Sequence, residues 1–382
     1  MKFRIALILL LLLIVAAPAF AINPALPTEG LEQRIEFWKK VYTRYGAEDL
    51  IIHDRIYVNL IYGVAARADL SPKITEIQDA LREIQSKPEA PKNLSSTAAQ
   101  IYKSIVAQDL TVSSSLIDKL GARIHIQMGI KERFRGGIIR SGRYVDKFRE
   151  IMKDHGLPTE LALLPLVESS FQNAKSRVGA VGVWQFTKGT GSLYMKIGNK
   201  VDERLDPVRS SDAAAHFLRD NYRELGAWPL AITGYNHGRG GVMQAQKLCG
   251  SDLPAIINGY RGPVFGYASM NFYSEFLAAL EVYENYRQYF GDLTLDAPDP
   301  ETEEDPVIKA SNLPVTLAST PAKREDAVSV SKYKVRQGDT LSEIAQHFGM
   351  PVRHLMKMNK LNSSVICTGK VLLVERLKRR SG

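Results

Sequence analysis

The stretch Pro158–Phe186, PTELALLPLVESSFQNAKSRVGAVGVWQF, decides the reading of the whole chain. Its first half reads as a helix. Pro158 suits a first helical turn, and an apolar run leads from Leu161 to Glu168. Leu164 lies four residues behind Glu168, Pro165 three behind and Phe171 three ahead, so a continuous helix puts all of them on its face. A carboxyl among apolar neighbours has its charged form disfavoured, which is what a general acid near neutral pH requires. Pro165 has no N–H to give Leu161, so a kink is expected one turn before the acid. In the second half, Gly179 and Gly182 allow close backbone approach to a ligand, and Trp184-Gln185-Phe186 offers aromatics and an amide suited to a sugar. The plainer alternative is a core helix followed by a tight turn.

Four motifs occur in order: ESSF from Glu168, GAVGVWQF from Gly179, GYNHG from Gly234 and NFYSEFLAA from Asn271. Together they resemble the ordered motifs of lytic murein transglycosylases of the D type, whose superfamily includes goose-type lysozymes. The resemblance covers about residues 120–290. It implies a mainly α, lysozyme-like all-helical catalytic domain with Glu168 as general acid and then base. It also implies sugar-binding roles for Ser176, Gln185, Tyr235 and Asn236, and for Tyr273 in the last motif. His237 receives no role. The glycine-rich GYNHGRGG lacks the Lys-Ser/Thr of a phosphate loop.

Glycosidases usually need two carboxylates. After Glu168 the next acids are Asp202, Glu203 and Asp206, in a segment that reads as a charged turn feeding a helix capped at Ser211 or Asp212. With one carboxylate, the chemistry closes if the substrate's own acetamido group is the nucleophile. A water-using muramidase with Asp202 or Asp206 as base is the alternative, and a non-catalytic wall-binding protein is a third reading.

Upstream, Met1–Ala21 has a basic start at Lys2 and Arg4, an apolar run and a small-residue site at Ala19-Phe20-Ala21, which reads as a secretory signal. Cleavage is expected over retention as an anchor, and no cysteine follows the run to carry a lipid, so any membrane association is peripheral. Residues 22–115 read as an amphipathic helical region, with Leu31, Ile35, Trp38 and Tyr42 at helical spacing. It either packs on the catalytic domain or stands alone. Residues 116–291 form the expected transglycosylase domain, with helix breaks at Gly136-Gly137 and Ser141-Gly142. The cluster Lys131, Arg133, Arg135, Arg140 and Arg143 reads as a solvated basic face.

Downstream, residues 292–331 are acidic and then Pro/Ser/Thr-rich, a mobile linker. Residues 332–375 show a β-α-α-β pattern with Gly338-Asp339-Thr340 opening a helix and an Asn359 turn. This resembles a LysM module, which implies glycan docking through Gly338, Asp339, Thr340, Leu341, Asn359 and Ile366. A basic tail, 376–382, follows. From Lys332 onward eleven basic residues face three acidic ones, and over the whole chain Lys and Arg exceed Asp and Glu by nine. Such charge suits an anionic cell wall, and export argues against nucleic acid. Peptidoglycan is the expected partner, with no obligate protein partner. Cys249 and Cys367 fall in different expected domains and are read as two free or buried thiols. No HExxH or zinc spacing occurs, so neither a metal nor another cofactor is expected.

Overall fold

The computed structural model describes residues 25–86, 93–176, 179–262 and 264–298, and most of 330–375. The leader, residues 299–329 of the linker, Gly338, Thr340 and the basic tail lie outside the described residues. The described part is mainly helical, with a small sheet near its start.

Helix α1 (Glu32–Thr43) buries Ile35, Phe37, Trp38, Val41 and Tyr42 and packs on the long helix α13 (Tyr267–Glu284). Between them Arg34 is buried, donating to Asn271 Oδ1 at 2.8 Å and to the Ile56 carbonyl at 2.7 Å. Strands β1 (Leu50–Asp54), β2 (Ile61–Ala65) and β3 (Ile124–Met128) form an antiparallel sheet of order β2-β1-β3. This departs from the purely helical reading of residues 22–115 and puts a strand in the domain expected to be all-helical. LIIHD forms a central strand buried at all five positions, and its apolar run is too short to show a helical period or its absence. Successive side chains of β1 serve two cores: Ile51 joins the main one and Ile52 a second. The second core is closed by α2 (Leu70–Ser86), α3 (Ser96–Val106) and α4 (Ser114–Gly121). Ser95 and Ser113 cap α3 and α4, each accepting from a backbone N–H three residues on.

The chain continues through α5 (Lys131–Ser141), α6 (Val145–Asp154), a 3-10 turn (Thr159–Leu163), α7 (Pro165–Glu168) and α8 (Lys188–Gly191). It then runs through α9 (Pro207–Leu225), α10 (Trp228–His237), α11 (Arg239–Cys249), α12 (Leu253–Gly259), the short β4 (Tyr260–Arg261), α13 and α14 (Tyr286–Phe290). Gly136-Gly137 does not break α5. A Cβ on Gly137 would lie 3.0 Å from that of Ser170 and 3.3 Å from Leu166, so the missing side chain lets α5 and α7 approach. Helix α9 starts earlier than expected. Asp206 caps it, accepting from Val208 N at 2.9 Å and Arg209 N at 3.0 Å, with Pro207 in the first turn.

The first residues of the expected linker are docked. Leu293 and Leu295 pack on the main core, Asp296 N donates to the Ile139 carbonyl, and Asp296 accepts from Arg143 Nε at 2.7 Å. The C-terminal unit pairs β5 (Val330–Lys334) antiparallel with a last strand, β7 (Val371–Glu375), around a core that includes Leu341, Ile344, Leu355, Ile366, Leu372 and Val374. Helix α15 (Val352–Met358) lies between them in sequence. Strand β6 (Ile366–Cys367), whose Ile366 lies in this core, pairs with β4, Tyr260 opposite Cys367.

Cys249 is disulfide-bonded, which corrects the expectation of two free thiols. The chain holds one other cysteine, Cys367. Separation by a linker is no obstacle once β6 pairs with β4, eleven residues beyond Cys249.

Asn359 closes the C-terminal unit. Its amide donates to the carbonyls of Leu355 (2.9 Å) and Leu373 (2.6 Å), and its oxygen accepts from Leu373 N at 2.6 Å. Asn359→Ala removes all three bonds and is expected to destabilise this unit by about 2 kcal/mol. Amide exchange along β7 measures it, and unchanged protection of Leu373 would contradict the assignment.

Candidate active site

Glu168 sits where a helix is forced to end. The 3-10 turn Thr159–Leu163 gives way to α7 at Pro165, the break expected from its missing N–H. Glu168 N still reaches the Leu164 carbonyl at 3.2 Å, and the chain then turns sharply. Ser170 and Phe171 have φ of 54° and 56°, a left-handed conformation that costs a non-glycine residue about 1–3 kcal/mol. Phe171 is therefore not one helical turn ahead of the acid.

Packing and hydrogen bonds offset that cost. Phe171 is buried against Tyr144 and Phe148. Ser169 Oγ donates to the Val183 carbonyl at 2.7 Å. From α5, Arg140 Nε donates to the Ser170 carbonyl at 2.9 Å and Arg133 Nε to Ser170 Oγ at 3.1 Å. Two members of the basic cluster thus brace the turn behind the acid; Arg133, Arg135 and Arg143 are exposed, as a solvated face requires, and the half-buried Arg140 departs from that reading. Basic residues at helical spacing carry no sign of this in the sequence, because their partners, the carbonyl and the hydroxyl of Ser170, lie thirty or more residues away.

Glu168 is half-buried, and the protein packed around its carboxyl disfavours the charged form. Burial alone raises its pKa to about 8. Among the described residues no hydrogen bond or ion pair to either of its oxygens occurs. Two groups share its surroundings. Tyr235, on α10, donates its phenol to the Trp184 carbonyl at 2.7 Å, and its pKa is driven up by burial and then by the charge of Glu168. Glu275, on α13, is likewise half-buried, and burial, followed by the charge of Glu168, raises it to about 8.

These raised values set a pH dependence of stability. A carboxyl held neutral in the fold keeps more protons than in the unfolded chain, so its contribution is fully present below pH 4.5 and declines as pH rises to about 8. Melting temperature is expected to fall across that window, and the fall should shrink in Glu168→Gln. An equal slope in the variant would show that Glu168 is not enclosed.

The remaining expected residues divide. Gln185 adopts φ 52° and donates to the carbonyls of Gly182 (2.7 Å) and Ala174 (3.0 Å), locking the loop that follows Glu168. Ser176 Oγ accepts from Ala180 N at 3.0 Å in the same loop. Asn236 is exposed at the end of α10. Tyr273 is corrected: it is 1% exposed and donates to the Pro27 carbonyl at 3.0 Å, so it presents no surface to a sugar. Trp184 is also core rather than sugar platform, fully buried with Nε1 on Ser211 Oγ. Gly182 approaches the Arg204 backbone, not a ligand.

Asp202 is bound to Arg204 through both oxygens (2.9 and 2.7 Å), which holds its pKa below the usual carboxylate range, and Asp206 is a helix cap. Both fit the charged-turn reading. In the C-terminal unit, Leu341 and Ile366 are each 1% exposed, so they support that fold from inside and present no glycan-facing surface. Asp339 accepts from Tyr333 Oη at 2.7 Å. Asn359 is engaged with β7.

Two other features lie apart from Glu168. His155, Asp212 and His216 gather three potential ligand atoms within 4.8 Å. Arg219 places its guanidinium 2.7 Å from His216 Nδ1 and 3.5 Å from His155 Nδ1, while His155 Nε2 pairs with Asp212 at 2.7 Å. A resident cation there opposes a metal, and the cluster reads as a packing network between α6 and α9. A cavity of 660 Å³ is lined by Pro27, Tyr222, Trp228 and Pro254, among others, and neither Glu168 nor Tyr235 borders it.

Residues 148–255 match the Transglycosylase SLT domain family and residues 333–375 the LysM domain family. The chain is 28% identical over 285 residues to membrane-bound lytic murein transglycosylase D of Escherichia coli strain K12, covering 58% of this chain and 61% of that protein. It thus spans about three fifths of that relative. Over 51 residues it is 41% identical to the cell wall-binding protein YocH of Bacillus subtilis, covering 13% of this chain and 18% of YocH. Among solved structures, the 70 kDa soluble lytic transglycosylase Slt70 of Escherichia coli is 18% identical with a TM-score of 0.31, over 59% of this chain and 37% of that one. Glu168 lies inside the first matched segment and the β5–β7 unit is the second, so the chain carries a transglycosylase SLT domain at residues 148–255 and a LysM domain at residues 333–375.

Proposed function

We propose that the protein is an exported peptidoglycan lytic transglycosylase of the cell envelope. Glu168 protonates the glycosidic oxygen between N-acetylmuramic acid and N-acetylglucosamine while the 2-acetamido oxygen of the muramyl sugar attacks the anomeric carbon. The resulting Glu168 carboxylate takes the proton of the muramyl 6-hydroxyl, whose oxygen closes on the anomeric carbon and releases the acetamido group. The product is a 1,6-anhydromuramyl end, and no water is consumed. The observation that carries this reading is the place of Glu168, half-buried at the end of α7 inside the segment that matches the transglycosylase SLT domain, with no ion pair or hydrogen bond to its oxygens among the described residues. Burial raises the Glu168 carboxyl to about 8, the direction a general acid at neutral pH requires. Asp202 and Asp206, the acids a water-activating alternative would call on, are occupied by Arg204 and by the start of α9.

In this reading Gln185, Ser176 and Tyr235 shape the groove wall, and Asn236 is open to a sugar. The LysM unit supplies glycan docking, aided by its basic balance. Peptidoglycan strands are the partner, and no cofactor takes part.

A hydrolytic muramidase remains the second reading, because Glu275 puts another carboxyl near Glu168. Product mass separates the two. Digestion of purified sacculi is expected to yield anhydro ends, lighter by one water than hydrolytic ends. Hydrated ends would replace this proposal with the muramidase, and no soluble product would leave a wall-binding protein.

A further inference from the structure

We propose that the LysM unit is clamped to the catalytic domain by a Cys249–Cys367 disulfide and the β4–β6 pairing, so that the glycan it docks meets Glu168 at a set offset and cuts fall at regular intervals along a strand. This rests on the transglycosylase reading above: the clamp decides where along its substrate that enzyme cuts.

The clamp has a backbone half and a covalent half. Among the described residues β5 and β7 pair with each other, and β4 and β6 have no sheet partner but one another. Tyr260 lies opposite Cys367 and Arg261 opposite Ile366. Ile366 belongs to the LysM core and the buried Tyr260 to the main core, so each strand is rooted in its own domain. Helix α11 packs on both strands and ends at Cys249. A Cβ on Gly259, the last residue of α12, would stand 4.0 Å from the Cys249 sulfur, so α12 closes over that sulfur at ordinary contact distance. The chain has two cysteines and neither is free, which joins Cys249 to Cys367.

The two halves need each other. A two-residue strand pair is marginal in water on its own. Lys370 has its pKa lowered by burial and then by the charge of Lys247 on α11, a like charge that opposes docking. The disulfide offsets both, and an exported protein meets the oxidising conditions in which such a bond persists.

Rigid elements connect the clamp to the chemistry. Helix α10 carries Tyr235 and Asn236 and packs on α11, with Gly238 alone between them in sequence. The 11 residues of α11 span about 16 Å from that end to Cys249. A docking unit fixed at the far end of a helix does not swing as one on a flexible linker does, so it presents fewer positions of a bound strand to Glu168.

The test has two readouts on the full chain. Mass spectrometry of unreduced peptides should find Cys249 joined to Cys367 within one chain, and free thiols or a bond between two chains overturn the proposal. Soluble glycan products from purified sacculi should have a narrow length distribution with the wild type. The double variant Cys249→Ser, Cys367→Ser should broaden it by about twofold. An unchanged distribution overturns the proposal, as does tighter binding of the variant to sacculi, which would mean that the seam covers the docking face. Should the variant not fold, dithiothreitol opens the bond in the folded wild type, leaving two thiols and itself becoming a cyclic disulfide, and the same comparison decides. Hydrated ends or no soluble product would instead defeat the transglycosylase reading, and the peptide map would still judge the clamp.

Discussion

Glu168→Gln is expected to lower release of soluble products from sacculi by about a thousandfold, since one group serves as both acid and base and general acid–base catalysis contributes 10²–10⁴. The substitution changes the neutral carboxyl into a neutral amide of the same shape. Below pH 4.5, where the wild-type carboxyl is also neutral, the two proteins should melt at nearly the same temperature. Near pH 8 the variant should melt higher, because the wild type then holds a poorly solvated charge. Lost activity with retained or improved stability distinguishes a chemical role from a structural one. A variant keeping more than about a tenth of wild-type activity would remove Glu168 from the chemistry.

The largest loss of stability is expected at Gly182. Its φ of 85° lies in the left-handed region, and a Cβ built there would stand 1.8 Å from the Arg204 carbonyl oxygen. Neither side can retreat easily. Arg204 grips Asp202 through Nε and Nη2 and donates to the Phe186 carbonyl at 3.2 Å. Val181 and Phe186 exchange two backbone hydrogen bonds across the turn, and Gly182 N donates to the Ala174 carbonyl at 3.0 Å.

Gly182→Ala should therefore cost about 4 kcal/mol or more, among the largest single-residue effects known, and should displace the loop that carries Gln185. Gly179 provides the control. It has the same φ of 85°, but a Cβ there would meet nothing within 4 Å. Gly179→Ala should cost about 1 kcal/mol, the backbone term alone. Urea unfolding of both variants decides the matter, and equal losses would mean that the close approach to Arg204 is not what selects glycine at Gly182.

Much of the local structure was legible in order along the chain. Pro165 interrupts the helix because it lacks an N–H, wherever the rest of the protein lies. An acid at the end of LALLPLVE has apolar neighbours in any compact fold, and the β5–α15–β7 unit follows from its own pattern of apolar residues. The sheet was missed because a short run such as LIIHD reads equally as strand or as buried helix until its neighbours are known. Asp206 was passed over as a cap in favour of Ser211 or Asp212, though Asp-Pro at the start of α9 was a usable signal.

Other assignments depended on which surfaces meet. Helix α13 is apolar nearly all round, so no periodicity marks the side that faces Glu168. Tyr273 and Glu275 are two residues apart and point about 200° apart on the helix. A hydrogen bond to the Pro27 carbonyl removed the tyrosine, while Glu275 feels the charge of Glu168. Arg133 and Arg140 became braces of the Ser170 turn, and the pairing of β4 with β6 placed a strand of the LysM domain against the catalytic domain. Bonding along the backbone and solvation of short segments act over a few residues, so the sequence alone determined the helix break, the acid and the LysM unit. Burial and charge coupling act between elements distant in sequence, so only the tertiary structure decided what surrounds Glu168.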